Sequence, residues 1–117
     1  MHLEFTHTPD YFFFSQLLVH HLESHITKQP DEPKTMFDLK EIYQLFREDF
    51  AATTTNLESI LNISCLYKVE TLEGDQPFIQ NYRIDAKQNN LWLEFNKAAT
   101  ERLVAGYPLI EPNFATT

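Results

Sequence analysis

Hydrophobic residues along the second half of the chain recur with period two. Leu91, Leu93 and Phe95 alternate with Trp92 and Glu94, while Phe78, Tyr82 and Ile84 take the opposite parity to Ile79, Arg83 and Asp85. That is the pattern of half-buried strands. Ala86 to Asn90 between them is polar and holds two asparagines, which tolerate the left-handed backbone of a tight turn, so a hairpin is predicted. Asn96 then caps a short helix over Lys97 to Val104, with Gly106 placed to end it and Pro108 to prevent its resumption. Upstream, Ile63, Cys65, Tyr67 and Val69 alternate with Ser64, Lys68 and Glu70, and Glu73-Gly74-Asp75 turns the chain. Three consecutive antiparallel strands are therefore expected at about 63–72, 78–86 and 91–95, with a fourth candidate at His2 to Thr6.

In the first half the period lengthens to that of a helix. Phe14, Leu18, Leu22 and Ile26 recur every fourth residue behind a Thr8-Pro9-Asp10 start, predicting a helix to about Thr27. Tyr11 to Phe14 also carries strand propensity, which favours a later start. Lys28 to Lys34, with Pro30 and Pro33, reads as a loop. Thr35-Met36-Phe37-Asp38 has the capping-box spacing and precedes Leu39, Ile42, Tyr43, Phe46 and Phe50, which predicts a second helix. Leu57 to Asn62 fits either a helical turn or the approach to a strand. The fold class is α+β: one domain over residues 1–117, with a small curled antiparallel sheet packed by two N-terminal helices and a short C-terminal helix.

Composition narrows the function more than the fold. The 43% of hydrophobic residues is enough for a core, but seventeen acids against nine bases give a net charge of −8, so any nucleic-acid site has to be local. Residues 1–59 hold ten acids and four bases, whereas residues 60–117 hold seven and five, so an anionic ligand is expected on the second half. Met1 to Phe5 lacks a basic flank and the apolar run Tyr11 to Val19 is too short to span a bilayer, which predicts a cytoplasmic protein with no membrane partner. A single cysteine, Cys65, gives neither an internal disulfide nor a cysteine zinc cluster, and two glycines cannot build a phosphate-binding loop.

Four groupings of residues are chemically suggestive. His21 and His25 have the spacing of a two-histidine metal site, but no third ligand is indicated, and they read as polar positions on a helix edge. Cys65, placed mid-strand, is expected to be buried and inert. No nucleophile is set beside a base, so neither an enzyme nor a cofactor is predicted. Lys68, Arg83 and Trp92 all oppose the core parity of their own strands, and Lys87 sits at the hairpin turn. Gathered on one outer face, these cations and an indole suit single-stranded RNA, which is held by stacking and backbone charge. In the competing arrangement a helix covers Trp92 and Arg83 pairs with Glu94 or Glu70. Asp38, Glu41, Glu48 and Asp49 form a possible docking surface for a basic protein partner, or an imitation of nucleic acid.

A helix, a Thr-rich turn, a second helical segment and a hairpin wing also describe a winged helix-turn-helix. In this respect Phe78 to Phe95, followed by the helix from Asn96, resembles the wing region of plasmid replication initiators, although Thr55 to Leu61 offers no cation for reading duplex DNA. The strand Phe78-Ile79-Gln80-Asn81-Tyr82-Arg83-Ile84-Asp85 with Trp92, together with size and acidity, resembles the small proteins of enterococcal conjugative plasmids that suppress sex-pheromone toxicity. That resemblance implies a PUA-like fold, a curled sheet or barrel of RNA-binding modules, and a regulatory role in plasmid transfer. The expected function is thus a non-enzymatic regulatory protein that binds RNA through an outer sheet face.

Overall fold

The computed structural model describes residues 11–29, 31, 34–46 and 54–112, with side chains in the last segment from Leu57 onward. Among these residues the chain is α+β, with four helices and two small antiparallel sheets of three strands each. The elements run α1 (Tyr11–Lys28), β1 (Lys34–Asp38), α2 (Leu39–Phe46), α3 (Thr54–Ser64), β2 (Lys68–Thr71), β3 (Gly74–Pro77), β4 (Ile79–Asp85), β5 (Asn90–Phe95), α4 (Lys97–Val104) and β6 (Leu109–Ile110). One sheet has the order β1-β5-β4 and the other β3-β2-β6. Neither closes into a barrel. The expected strand at His2 to Thr6 lies outside the described residues, as does the Thr8-Pro9-Asp10 helix start.

The α1 stripe behaves as its spacing dictates: Phe14, Leu18, Val19, Leu22 and Ile26 are buried, and the helix packs against α3, α2 and α4. Aromatic strand propensity at Tyr11 to Phe14 is overridden by this packing, and all four residues are helical. From the sheets, Leu91, Leu93, Phe95, Val69 and Ile79 close the core over the helices. Phe78 stacks on Phe95, ring centroids 5.0 Å apart, at the junction where the chain leaves β3 for β4.

Three expectations are corrected. First, Lys34 to Asp38 is a strand and not the start of a helix. Phe37 points into the core beside Leu91, and the edge of β5 offers β1 a full set of backbone partners, which outweighs the capping pattern at Thr35. The true cap is Asp38, whose Oδ1 accepts the Lys40 N–H at 2.9 Å, so α2 begins three residues later than that pattern suggests. Second, Leu57 to Asn62 belongs to an eleven-residue helix. Leu57, Ile60, Leu61 and Ser64, at helical spacing, are all buried. The helix carries on through Ile63 and Ser64 and closes through Cys65 N–H to Leu61 O and Tyr67 N–H to Ser64 O. Cys65 is consequently half-buried in a helix-ending turn, outside any strand. Third, the expected three-stranded meander is two separate sheets. β2 pairs with β3 and β6, and the hydrogen bond from Phe78 N–H to Tyr67 O links its approach to the next segment.

The hairpin and the last helix form where expected. Asn89 takes φ +59° and its N–H reaches Ala86 O at 3.3 Å, while Gln88 N–H is held by Asp85 Oδ1 at 3.1 Å. Asn96 Oδ1 accepts the Ala99 N–H at 3.0 Å. At the other end of α4, Gly106 (φ +102°) donates to Leu103 O and Tyr107 to Arg102 O, a Schellman closure. A bulge between Ile79 and Asn81 alters the parity of β4, so Ile79, Tyr82 and Ile84 share the inner face, and Phe78 is buried ahead of the strand.

Candidate nucleic-acid interface

The register of the β1-β5-β4 sheet fixes its outer face as three rows of three. Met36, Trp92 and Arg83 form the central row, one from each strand. Lys34, Glu94 and Asn81 lie on one side of it, and Asp38, Asn90 and Asp85 on the side toward the hairpin turn. The opposite face, carrying Phe37, Leu91, Leu93, Tyr82 and Ile84, is turned to the core. Alternation within each strand therefore forces the two sets apart.

Trp92 is 38% exposed and Met36 48%, so no helix covers them. The Arg83 guanidinium carbon lies 5.7 Å from the indole centroid, within range of a cation–π contact worth about 0.5–1 kcal/mol at an exposed site. Arg83 does not pair with Glu94 or Glu70: its nearest acid is Asp85, with Nη1 3.8 Å from Oδ2. Lys34, Asn81, Arg83, Trp92 and Glu94 edge an open groove of about 330 Å³ beside the indole. Beneath it, the Tyr82 hydroxyl donates to Asn62 Oδ1 at 2.8 Å, tying the hairpin to α3. Burial pushes the Tyr82 phenol up, with the Cys65 thiol and Glu58 adding to the rise.

Of the four residues expected on this surface, Arg83 and Trp92 meet and Lys87 stands exposed at the hairpin turn of the same sheet. Lys68 does not join them. It lies in the other sheet, exposed, between Pro77 and Ile110. The premise that its strand would pair with β4 fails because β3 folds back onto β2 first. Lys34 and Met36 take places on the face that a helix reading of Thr35 to Asp38 had hidden. Their signal was present as the parity of Lys34, Met36 and Asp38 against buried Phe37.

The acidic alternative divides. Asp38 caps α2 and also accepts from Asn89 Nδ2 at 3.0 Å, and Glu41 Oε2 meets His21 Nε2 at 3.0 Å. Glu48 and Asp49 lie outside the described residues. The His21 and His25 rings both pack on Phe37, at 5.7 and 5.0 Å, and His25 Nε2 faces Thr35 Oγ1. Among the described residues no three His, Cys, Asp or Glu side chains gather as metal ligands would, and no helix is long and apolar enough to cross a membrane. Comparison with protein-family models, with curated proteins and with solved structures finds no significant match to this chain.

Proposed function

We propose that this chain is a non-enzymatic regulatory protein that binds single-stranded RNA on the outer face of the β1-β5-β4 sheet. The observation that carries the reading is Trp92, an exposed indole in cross-strand register with Arg83 and lying beside it. A base stacks on an exposed aromatic for about 1–3 kcal/mol whatever its identity, and Arg83 and Lys34 supply charge for the backbone. Asp38 and Asp85 at the turn end repel phosphate, so a strand lies toward the Lys34 side. Two cations against a net charge of −8 make the affinity modest and salt-sensitive, with log K falling by about 0.7 per phosphate neutralised for each unit of log salt. Replacing Arg83 and Trp92 together by Ala is expected to abolish RNA binding and leave the far-UV circular dichroism spectrum unchanged. Binding that survives the double substitution would exclude this face.

A second reading is favoured by chain order. Helix, strand, helix and helix are followed, after the intervening β2 and β3 of the other sheet, by the β4-β5 hairpin, which β1, from between α1 and α2, joins as a third strand beside β5. Apart from that insertion the order resembles a winged helix, with Ala86 to Asn89 as the wing tip. Leu39 N–H donates to Asn89 O, so Lys40 and Lys87 flank one end of the sheet and would meet duplex phosphates there. Against it, α3 from Leu57 to Ser64 has no cation, and exposes Glu58 and Asn62. Under this reading Lys40→Ala with Lys87→Ala weakens duplex DNA binding while Arg83→Ala with Trp92→Ala does not; the reverse ranking supports the RNA face.

A further inference from the structure

We infer that the groove beside Trp92 selects guanine, with Glu94 as the reader; this rests on the RNA reading above. Glu94 stands between Lys34 and Asn81 in the row next to Trp92, and among the described residues no hydrogen bond or ion pair engages its carboxylate. The acids nearest the turn are already engaged, Asp38 as a helix cap and Asp85 by Gln88 N–H and Arg83. Glu94 is thus the half-buried acceptor left facing the groove.

Base chemistry then discriminates. A carboxylate has two acceptor oxygens and no donor. Guanine alone among the four RNA bases offers two adjacent donors, N1–H and the N2 amino group, on its pairing edge. Adenine and cytosine set an acceptor nitrogen beside their amino group, and uracil places its single N–H between two carbonyls. On its other edge guanine presents O6 and N7, the acceptors that Arg and Lys recognise, and Lys34 and Arg83 edge the same groove. The Asn81 Oδ1 is taken by Tyr82 N–H at 2.9 Å, which leaves its amino group as a further donor. A groove of about 330 Å³ lies at the lower end of small-ligand sites and suits one base rather than a folded element.

The test titrates the whole chain with three RNA hexamers: all-adenine, the same with one central guanine, and the same with inosine in that place, which lacks the N2 amino group. The guanine hexamer is expected to bind about tenfold tighter than the adenine one, in line with a good bidentate contact, with inosine between. Glu94→Gln should erase that ranking without weakening adenine binding. Equal affinity for the guanine and adenine hexamers, both lost in the Arg83→Ala, Trp92→Ala variant, overturns guanine selection and leaves the RNA reading standing. No binding of any hexamer overturns both.

Discussion

Asn96 and Gly106 are single residues whose roles can be isolated. Asn96 closes the first turn of α4 through one side-chain bond, and its replacement by Ala is expected to lower stability by about 1 kcal/mol. Gly106 holds φ +102° with open space around it, so an added Cβ meets strain rather than a clash, and Gly106→Ala should cost about 1 kcal/mol. Urea denaturation with unchanged m-values checks both. Cys65 and the phenols of Tyr43, Tyr67 and Tyr82 are all pushed up, in each case first by burial. Their neutral forms are favoured in the folded state, so their stabilisation is present in full below the ordinary thiol and phenol values of 9.0 and 10.0 and is lost as pH rises above them. The denaturation midpoint should therefore decrease as pH is raised past 9.0, and Cys65 should alkylate only at higher pH than a free thiol.

At the scale of elements, the α3 assignment has its own test. Glu58 is exposed on that helix, so Glu58→Gly should be less stable than Glu58→Ala by about 1 kcal/mol. A strand there would instead tolerate Glu58→Val better than Glu58→Ala, whereas the helix favours the Ala. The hairpin, its turn asparagine and the capped α4 were legible in the sequence because local chemistry and tertiary packing agree at Asn89, Asn96 and Gly106. β1 was hidden because Thr35 to Asp38 satisfies a helical capping pattern while the vacant edge of β5 recruits it as a strand. α3 was obscured by overlap: Ile63, Cys65 and Tyr67 happen to alternate, although Leu57, Ile60, Leu61 and Ser64 already mark a helical face. Of the expected surface, Arg83 and Trp92 were readable from strand parity, since parity survives any arrangement in which β4 and β5 pair. Lys68 was misplaced because parity says which face a residue takes but not which sheet its strand joins.

The molecule as a whole separates the structural surface from the proposed binding surface along one sheet. The inner face of β1-β5-β4 closes the core, where Leu22→Ala is expected to cost about 2–5 kcal/mol, while the outer face keeps Met36, Trp92 and Arg83 in contact with solvent. An exposed large aromatic beside a cation contributes little to folding, so its substitution should separate binding from stability. Trp92 is the sole tryptophan of the chain and stands on the proposed site, which makes its fluorescence an internal reporter. The decisive measurement is that emission, followed while a single-stranded RNA hexamer is titrated at low salt. A saturable change, reversed by added salt and absent in Arg83→Ala, is the predicted result. An indole that is accessible to acrylamide yet indifferent to RNA at every concentration would contradict the account.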